Sequence, residues 1–122
     1  MKSRALFLDR DGVINKEINY LFKIEDFVFN KGIFKLCKHY QDQDHKIIVI
    51  TNQAGIARGL YSKNEFHNLT NWMIVEFLQR DIIIDKVYFC PHHPDFTGKC
   101  LCRKPEIGMI SDAEKEFNLD LS

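Results

Sequence analysis

Three short stretches of the chain are apolar almost without interruption: Arg4-Ala-Leu-Phe-Leu-Asp9, Lys46-Ile-Ile-Val-Ile-Thr51 and Asp85-Lys-Val-Tyr-Phe-Cys90. Runs this short, without polar alternation, read as parallel strands covered on both faces. Between the first two, Ile33, Leu36, Cys37 and Tyr40 recur at helical spacing. They predict a helix that starts near Asn30 or Lys31 and turns those four side chains inward. Between the second and third, Ser62-Lys-Asn-Glu65 has the capping-box pattern, and Phe66, Leu69, Met73 and Phe77 carry an apolar stripe to about Gln79. A last helix is expected over 106–117, with Ile110, Ala113 and Phe117 inward. Strand–helix–strand–helix–strand–loop–helix is the order of an α/β domain with a parallel sheet. In such sheets ligands gather at the carboxyl ends of the strands, and Asp9, Thr51 and Cys90 each stand at such an end.

Composition narrows the picture. The 122 residues are 45% hydrophobic and 12% aromatic, enough for one packed domain over 1–122. Lys and Arg together number 17, and so do Asp and Glu. A neutral chain has no long-range field to draw nucleic acid or an anionic membrane, so neither is an expected partner. No apolar run approaches the ~20 residues of a membrane span, and Met-Lys-Ser-Arg leads into a strand without a signal-peptide core. The expected location is cytoplasmic. Cys37 lies on the helical stripe and reads as core. Cys90, Cys100 and Cys102 cluster beside His92 and His93, and in a reducing compartment such a cluster favours a metal over disulfides.

Three groups of residues suggest chemistry. Asp9-Arg-Asp11-Gly12 is either a polar turn after a strand or a pair of working carboxylates. Like charges so close need an offset. Mg²⁺, a hard ion that takes oxygen ligands, would supply it and leave Asp9 free to attack phosphorus while Asp11 carries a proton. Ile50-Thr-Asn-Gln-Ala-Gly-Ile-Ala-Arg-Gly59 is either an ordinary glycine-containing loop or a phosphate cradle in which the Thr51 hydroxyl and nearby backbone N–H groups receive phosphoryl oxygens. Within the loop 90–105, Cys90-x-His92 and Cys100-x-Cys102 form a complete Cys₃His set for a closed, structural Zn²⁺, with His93 as competing ligand and free thiols or a disulfide as alternatives. Arg103 and Lys104 follow the last cysteine. Held by that loop, Lys104 could stabilise a transferring phosphoryl group and Arg103 could grip a phosphate bidentately.

Phe7-Leu-Asp-Arg-Asp-Gly-Val-Ile-Asn15, Thr51-Asn-Gln-Ala-Gly-Ile-Ala-Arg-Gly59, Cys90-Pro-His-His-Pro94 and Cys100-Leu-Cys-Arg-Lys-Pro-Glu-Ile-Gly-Met109 together resemble the haloacid dehalogenase (HAD) superfamily. More narrowly, they are similar to the D-glycero-D-manno-heptose 1,7-bisphosphate phosphatases and the related histidinol-phosphate phosphatases. The resemblance covers nearly the whole chain in order. It implies a Rossmann-like parallel sheet flanked by helices and a Mg²⁺-dependent phosphatase in lipopolysaccharide-core synthesis. Asp9 would be the nucleophile and a Mg²⁺ ligand. Asp11 would be the general acid/base, with its backbone carbonyl on the metal. Thr51 and Asn52 would bind the phosphoryl group or substrate, Lys104 would orient the phosphate, and Arg58 and Arg103 would recognise substrate. Cys90, His92, Cys100 and Cys102 would hold zinc. Histidinol phosphate is the alternative substrate, and a zinc-stapled binding module without catalysis is the alternative class. A nucleic-acid 3′-phosphatase is disfavoured by the neutral charge. Members of this family continue past the point where this chain ends, into a strand bearing a Gly-Asp motif that completes the Mg²⁺ site. Residues 1–122 are therefore expected to be incomplete at the C-terminus, to bind Mg²⁺ weakly, to hydrolyse heptose bisphosphate slowly or not at all, and to leave the strand 4–9 on an open edge. The full-length form would be a monomer, and the shorter one prone to associate through that edge.

Overall fold

The computed structural model describes residues 2–91 and 108–120. The apolar runs become β1 (Arg4–Leu8), β2 (His45–Asn52) and β3 (Lys86–Cys90), parallel and in the order β1-β2-β3. Leu6 stands opposite Ile47, and Val49 opposite both Leu8 and Val87. The central strand shows why its sequence does not alternate. Ile47 and Val49 pack on one face, Ile48 and Ile50 on the other, and all four are buried.

Different helices cover the two faces. The first carries α1 (Ile33–Asp42) and α3 (Lys63–Leu78), which follows the single turn α2 (Ala54–Ala57). Cys37 from α1 and Leu69, Met73 and Phe77 from α3 meet Ile47 and Val49 there. The second face carries α4 (Gly108–Phe117), whose Met109 and Ala113 meet Ile48, Ile50 and Cys90. Among the described residues, no helix is long and apolar enough to cross a membrane.

The capping box forms in both directions. The Glu65 N–H donates to Ser62 Oγ at 3.1 Å, and the Ser62 N–H donates to Glu65 Oε1 at 3.0 Å. α1 starts later than expected, at Ile33. Gly32 sits at φ +85, in the left-handed region, and so cannot be part of the helix. Asn30 instead gives its side-chain amide to the carbonyls of Gly12, Val13 and Asn15. Leu36, expected inward, is 41% exposed, because only Ile33 and Cys37 of that stripe reach the centre of the core. In α4, Met109 is buried in addition to Ala113, while Ile110 and Phe117 pack at the margin. Glu106 lies outside the described residues.

The outer side of β1 is engaged at its first residue. Ser3 pairs in parallel with Leu119: its N–H donates to the Asn118 carbonyl at 3.1 Å and its carbonyl accepts from the Asp120 N–H at 2.7 Å. The chain leaving α4 thus begins a pairing beside β1, the position expected of a further strand.

Candidate active site

Asp9 is the first residue beyond β1 and is half-buried. After it the chain turns sharply. The N–H groups of Ile14 and Asn15 donate to the Arg10 carbonyl at 2.9 and 3.2 Å, and the Gly12 N–H donates to the Asn15 carbonyl at 2.8 Å. Gly12 holds φ +90, which a side chain would strain. The turn folds Arg10 inward until it is 1% exposed, an unusual place for a guanidinium. It is paired there. Nη2 lies 3.0 Å from Asp11 Oδ1, and Nε donates to the same oxygen at 3.1 Å. Nη2 also donates to Asp11 Oδ2, to the Leu21 carbonyl and to Gln53 Oε1. The Asn15 side-chain amide adds a bond to Asp11 Oδ1 at 3.2 Å. The residue between the two aspartates therefore offsets the charge of Asp11 directly.

Gln53, 2% exposed and just past the end of β2, joins this turn to the second motif. Its Nε2 donates to Thr51 Oγ1 at 2.8 Å and to Asp11 Oδ2 at 3.3 Å. Its Oε1 accepts from Arg10 and from the Tyr61 hydroxyl. Its backbone N–H donates to the Cys90 carbonyl at 2.7 Å, so the ends of all three strands converge on it. Burial pushes the Tyr61 phenol up to about 12, with Arg10 pulling the other way and Asp11 adding to the rise. Gly55 makes room for that ring: a Cβ there would lie 2.2 Å from Tyr61 Cε1. No alanine fits without moving the tyrosine.

Beside this network lies a cavity of ≈ 300 Å³, open to solvent and walled in part by Asp11, Glu17, Asn19, Asn52, Gly55 and Tyr61. Tyr20 also lines it, in the left-handed region at φ 56, a strained place for an aromatic residue. The Tyr20 hydroxyl accepts from Arg58 Nη1 at 2.7 Å, and the guanidinium stands 5.4 Å from the ring centre. Arg58 is thereby held at the cavity margin.

Of the residues singled out from the sequence, Asp11 and Asn52 reach the cavity wall, Thr51 is tied to Asp11 through Gln53, and Arg58 abuts the wall through Tyr20. His92, His93, Cys100, Cys102, Arg103 and Lys104 lie outside the described residues. Cys90 is fully buried at the end of β3 and is disulfide-bonded. Among the described residues no group of three or more His, Cys, Asp or Glu is placed to hold a metal. Cys37 is a free, buried thiol that burial pushes up to about 11, as a core cysteine should be.

The sequence reading passed over Arg10, Gln53 and Tyr61. A faint signal existed for two of them. Arg10 and Gln53 each adjoin a strand end already marked as functional, and both are large polar side chains one or two residues from an expected site residue.

Comparisons with known proteins agree with this geometry. A family model described as polynucleotide kinase 3 phosphatase matches residues 7–122. A D-glycero-alpha-D-manno-heptose-1,7-bisphosphate 7-phosphatase from Campylobacter jejuni is 50% identical over 121 residues, covering 99% of this chain and 68% of the relative. The corresponding beta-named enzyme from Yersinia pestis is 40% identical, with 97% and 65% covered. Among solved structures, D,D-heptose 1,7-bisphosphate phosphatase from B. bronchiseptica, complexed with magnesium and phosphate, superimposes with TM-score 0.87 at 31% identity. That match covers 98% of this chain and 66% of the other. A HAD-like chain from Mesorhizobium loti gives TM-score 0.92 at 30% identity, covering 98% and 60%. The chain thus spans about two thirds of the length of the relatives it matches. With half its residues shared with one such phosphatase and its sheet superimposable on another, this chain belongs to the heptose bisphosphate phosphatase family of the HAD superfamily, phosphoric monoester hydrolases.

Proposed function

We propose that this chain carries the nucleophile and the proton-handling carboxylate of a Mg²⁺-dependent phosphatase acting on the 7-phosphate of D-glycero-D-manno-heptose 1,7-bisphosphate. The observation that carries the reading is the link Asp11–Gln53–Thr51 at the carboxyl ends of β1 and β2, beside a cavity lined by polar side chains. In the first step an Asp9 carboxylate oxygen bonds to phosphorus. The bond from phosphorus to the sugar oxygen breaks, and Asp11 gives that oxygen a proton. In the second step water bonds to the same phosphorus as Asp11 takes its proton. The acyl-phosphate bond breaks, leaving Asp9 as carboxylate and releasing inorganic phosphate. Thr51 and Asn52 receive phosphoryl oxygens. Arg58 and Arg103 recognise the rest of the substrate, and Lys104 orients the phosphate.

Hard oxygen donors suit Mg²⁺. The Asp9 carboxylate and the Asp11 main-chain carbonyl would hold the ion. When bound, the ion neutralises charge on the transferring phosphoryl group. A magnesium- and phosphate-bound relative of the same fold supports this choice of metal. Alpha-named relatives are 45–50% identical and beta-named ones 38–43%, which favours the α-anomer of the substrate.

In a full-length version, Asp9→Asn should abolish phosphate release from heptose 1,7-bisphosphate without changing the circular dichroism spectrum. Wild-type turnover in that variant would refute the covalent route. Hydrolysis of histidinol phosphate in preference to the heptose ester would shift the assignment to that substrate. Cys90, once reduced, joins His92, Cys100 and Cys102 in a structural Zn²⁺ site. Metal analysis under reducing conditions should find stoichiometric zinc, lost in Cys102→Ser, whereas metal-free protein with Cys90 still disulfide-bonded would reject the site.

A further inference from the structure

We infer that Gln53 is a positioning residue for the reaction: its side-chain amide sets the distance between the proton-handling Asp11 and the phosphoryl-binding Thr51. The inference rests on the phosphatase reading above. Only one orientation of the amide fits its surroundings. Arg10 Nη2 carries no acceptor, so the atom facing it at 3.4 Å must be Oε1, and the Tyr61 hydroxyl donates to that same oxygen. Nε2 is then forced toward Thr51 Oγ1 at 2.8 Å and Asp11 Oδ2 at 3.3 Å. Both the acceptor and the donor end are thus engaged, in a side chain that is 2% exposed. Gly55, by admitting the Tyr61 ring, makes the arrangement possible.

Asp11 has other partners, but they cannot do this work. Arg10 and Asn15 both belong to its own turn, so they fix the carboxylate relative to β1 alone. Gln53 is the described side chain that bonds to both Asp11 and Thr51, and it stands at the end of β2. Without its amide, the two groups lose their shared tether although each keeps its local bonds. A displacement of about 1 Å between reacting groups costs on the order of 100-fold in rate.

The choice of leaving group separates positioning from mere stability. Departure of an alkyl alcohol needs a proton from Asp11, whereas departure of p-nitrophenolate needs little. Gln53→Glu keeps an acceptor for Tyr61 and Arg10 but replaces the donor to Asp11 and Thr51 with a carboxylate oxygen that repels Asp11. Gln53→Leu removes both ends. In each variant kcat should fall for both esters, with the loss for an alkyl phosphate at least about tenfold larger than for p-nitrophenyl phosphate and KM little changed. Equal losses for the two esters would overturn the inference. A second measurement does not depend on turnover. In ¹⁵N spectra of the wild-type chain, the two Gln53 side-chain amide protons should exchange much more slowly than those of exposed Gln43 and Gln79, and Asp11→Ala should release them. If the full-length wild type hydrolyses neither ester, the phosphatase reading fails, while the amide exchange still decides whether Gln53 is held. Exchange as fast as that of the exposed glutamines would overturn the positioning role.

Discussion

Helix α3 and the buried polar cluster at the carboxyl ends of β1 and β2 lie on one domain but are held together by different physics. α3 follows local rules. Its N-terminus is closed by two residues three apart, and its inner stripe of Phe66, Leu69, Met73 and Phe77 is buried as its spacing dictates. The cluster obeys no local rule. Arg10 is 43 positions from Gln53 in the chain, and Gln53, Arg10 and Tyr61 are buried together through the bonds among them. Apolar packing tolerates any well-filled arrangement, whereas a buried polar group needs a particular partner at a particular angle. Damage to α3 should therefore cost stability, and damage to the cluster should cost turnover as well.

Four experiments can break or sharpen that contrast. The largest expected loss of stability comes from Phe77→Ala, which empties a site between Phe29 and Phe34, at 5.7 and 4.9 Å between ring centres, and should cost about 3–5 kcal/mol. Denaturant titration measures the loss, and kcat per folded molecule should be unchanged. A fall in kcat would show that α3 is not merely a support.

Arg10→Met comes next. It takes the cationic partner from the Asp11 carboxylate and a donor from the Leu21 carbonyl and Gln53 Oε1. Breaking a buried ion pair costs about 3–5 kcal/mol, and because the Asp11 side chain is 26% exposed the loss should sit near the lower end of that range. Here turnover must fall along with stability. A destabilised variant with normal kcat would mean that the charge pairing is structural only.

The Tyr61 phenol gives a pH-dependent version of the same test. It titrates at 10.0 when exposed and at about 12 when folded, so between those values the folded state holds the proton more tightly. The stability contributed by the neutral phenol is complete below pH 10 and lost as pH rises toward 12, about 2–3 kcal/mol in all. Urea titrations across that range on the wild type and on Tyr61→Phe should differ by this amount. The Cys37 thiol, raised from 9.0 to about 11, loses its contribution on the same side and is common to both proteins. Identical alkaline profiles would place Tyr61 outside the network.

The smallest effect belongs to Ser62→Ala. Losing the cap removes one bond to the Glu65 N–H and should cost about 1 kcal/mol, with no change in kinetics. A kinetic defect would link the α3 N-terminus to the cavity in a way its local geometry does not suggest.

Two neighbouring residues show how far the sequence could be read. Asp9 and Asp11 were legible as a pair because a continuous apolar run ends on them, and their mutual repulsion called for a compensating charge. Arg10 supplies that charge for Asp11, yet it was not legible. Extended-strand alternation points it away from both aspartates, and only the turn over Gly12 and the bonds from Ile14 and Asn15 bring it back. The α1 start was misjudged for a similar reason. Asn30 looks like a cap, but its amide is committed to three carbonyls of the distant turn.

By itself, the sequence determined the α/β order, the parallel sheet, the capped helix and the strand ends where chemistry should gather. Each of these rests on periodicity or on partners within four residues, where chain geometry alone fixes the neighbours. Tertiary structure decided which polar side chains are buried, that Gln53 bridges the two motifs, and that Gly55 must be small to admit Tyr61. Those outcomes depend on contacts between residues up to 43 positions apart, as Arg10 and Gln53 are, and no local pattern encodes a partner at that distance.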